Sequence, residues 1–349
     1  MAPSSLTLNY DSLLSTTLFN YRKKIEDGIS TTNAFLFYLM KKGGDGYKTV
    51  AEIGDRMMMP LMYELGLADS YSGYDVLDTT PADGITAAFF NWSQAAVPIS
   101  ISGLEEKKNR GESKIMDLLK AKTLQAELGL QEFFNKRMLQ GAGGSSITTA
   151  YTSPMNGSSF VEPLPKLVAY DPTAAVVIGN INQNTNTWWR NQLKNMNATT
   201  FAGFLKQLRT LRNNCSKGPG GPPDLHLASQ GTAELYEAAL AAAHRNPSYQ
   251  VADIPFDNVG FYGKPLTWDE FVPDWYSGTV TQTKGSWLML NTKFWGIRVD
   301  AETNFATTPF VKPENQDAKT CHILWLGALG VSNRRKQGVG GNIDESIAS

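Results

Sequence analysis

The sequence predicts an α+β protein. A single long amphipathic helix is expected from Ser113 to Gln140, and short extended runs alternate with helical ones without a regular strand-helix-strand rhythm. In the helical stretch, Ile115, Leu119, Ala126, Leu130 and Phe133 recur at three-, four- and seven-residue intervals and so share one stripe of a 3.6-residue repeat. Leu124, Leu128 and Met138 fall off that stripe, which predicts a strut packed on more than one side. Ser113 is the expected N-cap, and the run Gly141–Ser146 ends the helix after roughly 42 Å at about 1.5 Å per residue. A core helix of any large domain would need the same residues.

Ahead of this helix, residues 1–50 carry two short apolar stripes. Tyr10, Leu13, Leu14, Leu18, Tyr21 and Ile25 form one, and Ala34, Phe35, Phe37, Tyr38 and Leu39 begin another after the cap-like Ser30–Asn33. The arm has too little apolar surface to close a core, so it is expected to lie on something else. From Asp55 to Ser102 the period shifts to two. Met57–Tyr63 and Ile85–Trp92 read as the strands of a long antiparallel excursion through the turn-rich Tyr71–Asp75 and Thr79–Gly84, and Ala96–Ile101 as a strand feeding the helix. Pro60 and Pro98 place their strands at edges or bends. A two-stranded ribbon is marginal by itself and needs a partner surface.

Beyond the helix, Leu167–Tyr170 and Ala174–Ile178 suggest short strands. Thr199-Thr200 caps a helix from Phe201 to Asn213, and Lys217–Pro223 is a hinge-like loop of glycines and prolines. Asp224–Ser229 reads as a buried strand, Thr232–His244 as an alanine-rich helix, and Pro265–Trp268, Trp287–Asn291, Trp295–Val299 and His322–Gly330 as strands. No internal repeat is present.

At 349 residues the chain suffices for about two domains, and its 32 Lys plus Arg nearly balance 33 Asp plus Glu, so no overall field recommends nucleic acid or an anionic membrane. No apolar run reaches membrane-spanning length, and Met1–Leu6 has no secretory pattern, so no membrane partner is expected. With only Cys215 and Cys321, a disulfide framework is not in play. The matches to the glycosylation pattern at Asn91, Asn156 and Asn197 then carry no weight.

Chemistry is sparse. His226, His244 and His322 are isolated, and Cys321-His322 would point to opposite faces of a strand, so no metal site is expected. Nucleophile-elbow, zinc-protease and dinucleotide signatures are missing, and Ser216–Pro223 lacks the Gly-Lys-Ser/Thr ending of a phosphate loop. Glu105-Glu106-Lys107-Lys108 reads as a solvated turn or ion-pair patch. Asn333–Gln337, the densest basic cluster, reads either as a solvated face or as a contact to phosphates or to a neighbour's carboxylates. No cofactor is implied. An enzyme reading would have to gather scattered carboxylates such as Asp253, Asp257 and Asp269 into one pocket.

In wording and order the chain resembles the major capsid proteins of tailed double-stranded DNA bacteriophages. The matching stretches are Thr17–Lys24, Ser72–Pro81, Gly84–Ala88, Gln94–Glu106, Asp117–Lys122 and Ser332–Val339, which run over nearly the whole chain. The resemblance implies the HK97-like capsid fold: an N-terminal arm (1–54), an extended loop (55–102), a peripheral domain (103–200 with 290–349) carrying a spine helix at 113–140, and an axial domain (201–289). It also implies a non-enzymatic subunit that assembles with copies of itself, as hexamers and pentamers, into an icosahedral head shell enclosing phage DNA, with a portal and a separate scaffolding protein as partners and non-specific contact with the packaged DNA. The implied localisation is the virion, after assembly in the host cytoplasm. Met58, Tyr63, Tyr74, Phe90, Trp92, Glu105, Glu106, Arg334 and Arg335 are the expected intersubunit contacts, and the arm and ribbon are expected to find their missing contacts on adjacent subunits. Some relatives cross-link an extended-loop lysine to an asparagine of another subunit, but residues 55–102 contain no lysine. An encapsulin-type compartment, holding cargo enzyme in place of DNA, would use the same fold.

Overall fold

Packing of one long strand against its neighbours organises the chain. The computed structural model describes residues 34–42, 46–64, 66, 68, 70–76, 83–108, 112–140, 146–147, 161–242, 259–275 and 284–347. The first expected stripe (10–25), the glycine run after the long helix, His244, Asp253 and Asp257 lie outside these residues.

In chain order, α1 (Ala34–Phe37) runs through a π-helical turn (Tyr38–Lys42) into β1 (Tyr47–Val50) and then β2 (Met57–Met62), β3 (Ile85–Phe90), β4 (Ser93–Ser102), α2 (Gly103–Lys108) and α3 (Glu112–Leu139). Next come β5 (Ser146–Ile147), α4 (Leu164–Leu167), β6 (Val177–Ile178), β7 (Ile181–Asn182), β8 (Gln192–Asn195), α5 (Phe201–Ser216), β9 (Leu225–Ala228) and α6 (Gln230–Ala242). The last part holds β10 (Val259–Phe261), β11 (Lys264–Trp268), β12 (Asp274–Trp275), β13 (Lys284–Leu290), β14 (Trp295–Asp300), β15 (Ala306–Thr307), β16 (Ala318–Val331) and β17 (Gly338–Asp344).

One sheet forms around β16. Its residues 318–327 pair antiparallel with β4 on one edge, while residues 327–331 pair with β14 and residues 323–324 with β15 on the other. β1 extends the sheet parallel to β14. Along β16 burial alternates, with Cys321, Ile323 and Trp325 inward and His322 outward, which is the period-two signature of a half-buried strand. Pro60 and Pro98 both lie in edge strands, where a missing N–H costs no inner ladder bond. Against this sheet α3 buries Ala126, Leu130, Phe134 and Met138, and Phe134 meets Trp325 edge-on at 5.0 Å. Of the residues off the expected stripe, Met138 is buried, as is Leu139 on another side of the last turn, while Leu124 and Leu128 point into solvent. Phe134, one position past the expected Phe133, takes the core place because either residue follows Leu130 at helical spacing.

A second, six-stranded sheet runs β10-β11-β9-β13-β17-β8. Both of its faces are covered: Leu225, Leu227, Leu288, Leu290 and Val339 join the core around α3, while Ala228, Trp287, Met289 and Ile343 pack under α5 and α6. That explains why β9 and β13 read as continuous apolar runs. Strands from both sides of the boundaries expected at 200 and 290 meet in this sheet.

Two local expectations are corrected. Leu167–Tyr170 is no strand: it continues the turn of α4, whose Pro165 sits in the first turn with φ already helix-like, and an apolar run buried all round does not distinguish strand from helix. Of Ala174–Ile178 only β6 is extended, closing a hairpin to β7 through Gly179 and Asn180, both at positive φ. The expectation that the chain's beginning needs another subunit is also overturned for residues 34–50. Phe35 is fully buried, edge-on to Trp295 at 5.1 Å, and β1 is a strand of the subunit's own sheet.

Candidate intersubunit surface

The excursion between β1 and β4 is an antiparallel hairpin, with β2 and β3 in register from Met57↔Phe90 to Met62↔Ile85. Its two faces differ in neighbours but not in polarity. Inward, Met57, Leu61, Ala88 and Phe90 are buried on the subunit's own core, where the Phe89 N–H also donates to the Gly179 carbonyl at 3.1 Å. The ribbon root therefore has a local partner surface, and Phe90, only 2% exposed, is a core residue and no intersubunit contact. Outward, the cross-strand pairs are Met58↔Phe89, Pro60↔Ala87 and Met62↔Ile85. Met58 is 61%, Met62 70% and Ile85 75% exposed, so a strip of apolar side chains faces water. Ile85, Met62 and Phe89 were missing from the expected set. Their signal was the continuous apolar character of both strands, which leaves neither face polar.

At the far end of this strip Tyr63 stacks on Trp188 at 4.8 Å and donates to the Asp83 carbonyl, closing the strands together with the Tyr63 N–H to Gly84. Beyond it, Ser72 and Asp75 bond reciprocally in a turn that leaves Tyr74 and Val76 fully in solvent. Residues 63–84 contain Glu64, Asp69, Asp75, Asp78 and Asp83 but no Lys or Arg.

The basic cluster Asn333–Gln337 turns out to be a clamp within the subunit. Arg334 is fully buried: Nε donates to the Leu167 carbonyl (2.7 Å), Nη1 to the Trp189 carbonyl (3.0 Å), and Nη2 to Gln183 Oε1 (2.9 Å) and Asn191 Oδ1 (3.1 Å). Burial pulls its pKa down to about 9, which leaves it charged at neutral pH. Lys336 reaches the carbonyls of Ser216, Lys217 and Gly218 at 2.9 to 3.4 Å, so a cation sits at the C-terminal end of α5 where the helix dipole is negative. Gln337 exchanges hydrogen bonds with the backbone of Asn291, whose own Nδ2 contacts the carbonyls of Gly220, Gly221 and Pro222. The glycine-proline loop is thus pinned and not hinge-like. Arg334 is withdrawn as an intersubunit contact because a side chain with no exposed surface cannot meet a neighbour, while Arg335 between the two buried cations is exposed.

Glu105 is engaged locally. Its carboxylate accepts from the Ser102 N–H at 3.1 Å and pairs with Lys122 at 3.7 Å, while the Ser102 hydroxyl accepts from the Glu105 N–H. This reciprocal capping box starts α2 and holds the carboxyl below the usual range, chiefly through the Ser102 N–H. The Glu106 side chain lies outside the described residues. Trp92, half-buried, donates from Nε1 to the Gly54 carbonyl at 2.8 Å. Tyr63, Trp188, Lys217 and Arg335 line a shallow cleft at the far end of the paired strands.

Among the described residues no group of three or more His, Cys, Asp or Glu could hold a metal ion, and no helix is long and apolar enough to cross a membrane. Cys215 and Cys321 are buried free thiols. Asp269, one of the three carboxylates of the enzyme reading, is half-buried and accepts from Asn135 of α3 and from the Phe271 N–H; desolvation pushes it up to about 6.

No protein-family model and no curated protein matches the chain. Solved structures do. The capsid of cyanophage A-1(L) aligns over 90% of this chain and 93% of its own, with TM-score 0.61 at 14% identity. The SrpI encapsulin of Synechococcus elongatus aligns over 89% of both chains with TM-score 0.53 at 11% identity, and the capsid of a native GTA particle over 85% of this chain and 88% of its own with TM-score 0.54 at 9% identity. Mixed sheets, the long helix and alignments over 85 to 90% of the chain together give it the HK97-like capsid fold shared by these shell proteins.

Proposed function

We propose that this protein is a major capsid protein, a structural subunit whose copies assemble as hexamers and pentamers into an icosahedral shell around phage DNA. One observation carries the reading: the alignment to the cyanophage capsid takes in 90% of this chain and 93% of that capsid chain. The solvent-facing strip Met58, Met62, Ile85 and Phe89 supports it, because an apolar strip on a projecting ribbon is what a repeated contact between copies requires. On this plan residues 1–54 are the arm, 55–102 the extended loop, 103–200 with 290–349 the peripheral domain with α3 as its spine, and 201–289 the axial domain. Met58, Tyr63, Tyr74, Trp92, Glu105, Glu106 and Arg335 remain contact candidates. A portal and a separate scaffolding protein are the expected partners, and the particle assembles in the host cytoplasm and ends as a virion head.

An encapsulin-type compartment is the second reading, favoured by the SrpI alignment. Particles recovered from an expressing cell and assayed for nuclease-protected DNA and for co-purifying enzyme separate the two. Protected DNA in the presence of the packaging machinery supports the capsid reading, and a stoichiometric enzyme cargo supports the compartment.

A further inference from the structure

The described surface holds a cationic region whose charge is far from the chain's balance. Residues 172–223 contain no Asp or Glu, yet they carry Arg190, Lys194, Lys206, Arg209, Arg212 and Lys217, six positive charges in a chain whose net charge is −1. Much of it is concentrated on α5. Phe204, Leu205, Leu208, Leu211 and Cys215 bury one face of this helix against the six-stranded sheet. The opposite face places Lys206, Arg209, Asn213 and Lys217 at spacings of three, four and four, all exposed, so they form one straight row roughly 16 Å long. Arg212, half-buried beside the row, lies over the Tyr262 ring at 4.3 Å. Among the described residues none of these α5 cations forms an ion pair. The adjacent α6 carries Glu234 and Glu237, but Glu234 is engaged by Gln230 and neither reaches an α5 cation.

We infer that the outward row formed by Lys206 and Arg209 of α5 and Lys217 at its C-cap is a contact surface for the phosphate backbone of duplex DNA. A convex row of long cations fits a polyanion whose charges recur every ~3.4 Å along each strand, because any register of the row meets several phosphates, and no pocket is needed for base edges. The acidic segment 63–84 of a second copy is the competing occupant. It fits less well: it presents Tyr71, Tyr74 and Val76 to solvent, whereas the row itself is Lys206, Arg209, Asn213 and Lys217, with Tyr262 under Arg212 as the exposed aromatic at its side. The inference rests on the shell reading only for which polyanion lies at hand.

The test uses the full-length protein and a short fluorescein-labelled duplex of mixed sequence, with binding followed by anisotropy across a sodium chloride series. Lys206→Gln/Arg209→Gln/Lys217→Gln is compared with wild type and with a charge-matched control, Lys120→Gln/Lys136→Gln/Lys293→Gln, whose side chains are also exposed. The expected result is about tenfold weaker binding and a loss of about 2 to 3 from the log-log salt slope for the α5 variant, with the control near wild type. An unchanged slope, or an equal loss in the control, overturns the inference. So does selective binding of a peptide spanning 63–84 to wild type without DNA binding. Electron microscopy of the same preparations keeps the two readings apart, since shells that form normally while the slope stays unchanged refute the DNA surface alone. A wild type that binds DNA through α5 but forms no particle refutes the shell and spares the surface.

Discussion

The Arg334 guanidinium lies 5.6 Å from the centre of the Trp189 ring while its Nη1 donates to the Trp189 carbonyl at 3.0 Å, so one buried cation fixes both the side chain and the backbone of that residue. Through the same head group it ties α4, by the Leu167 carbonyl, to the turn before β17. Arg334→Met leaves that carbonyl, Gln183 and Asn191 buried without their donor. The expected loss is about 3 to 5 kcal/mol in chemical unfolding of the subunit. A loss below about 1 kcal/mol would mean that water replaces the guanidinium and that the clamp is dispensable.

The two faces of the hairpin separate assembly from folding. Charges at Ala88 or Phe90 would unfold the subunit, because both residues are buried. Met58→Glu and Ile85→Glu instead alter exposed positions and are expected to change stability by less than about 0.5 kcal/mol while abolishing particles. Circular dichroism melts beside electron micrographs of each variant check this. Normal particles from Met58→Glu/Ile85→Glu would remove the outward strip from the assembly surface.

Lys336 holds the end of α5 and the loop behind it. Replacing it by Met keeps the aliphatic stem and deletes three charge-assisted bonds to Ser216, Lys217 and Gly218. We expect a stability loss of about 1 to 3 kcal/mol and faster amide hydrogen exchange confined to the segment following α5. Exchange that rises evenly across the molecule would contradict a local role.

Buried His226 is held neutral among Trp287, Phe261 and Tyr236. Its Nδ1 receives the Trp287 N–H at 3.5 Å, and Nε2 has no hydrogen-bond partner among the described residues. Burial, reinforced by Arg212 and Lys264, lowers its pKa from 6.5 to about 3. The unfolded chain takes up a proton that the folded one refuses, so this group costs stability progressively as pH falls from 6.5 towards 3. Asp269 and Asp274 act oppositely. Both are raised to about 6, chiefly by burial, so each adds stability as pH falls through 6 towards the ordinary carboxylate range. In His226→Phe the carboxylate gain persists and the histidine loss disappears. The stability difference between variant and wild type should therefore grow in the variant's favour by about 1.4 kcal/mol per pH unit below 6.5. A difference independent of pH would show that His226 already titrates normally.

Where one face of an element is buried, its pattern was readable from residues alone. The long helix, α5 with its Thr200 cap, the buried β9 and the alternating β16 follow from periodicity and capping chemistry. Neighbours were not readable. Asn333–Gln337 looks like a solvated basic patch because charge density does not reveal that its carbonyl acceptors come from residues 167, 189 and 216–218, far away along the chain. Phe90 and Phe89 are chemically identical, and only the strand register decides which one is core and which one faces out. The acid-free stretch 172–223 was legible throughout, but its meaning depended on learning that α5 turns its cations to one side.

Imaging of the purified full-length protein under the electron microscope tests the shell assignment most directly. Closed particles of uniform diameter with five-fold and six-fold clusters on their surface are the predicted result. A preparation that stays monomeric at high concentration, in which Met58, Met62 and Ile85 remain accessible to water as judged by oxidative footprinting, would contradict it.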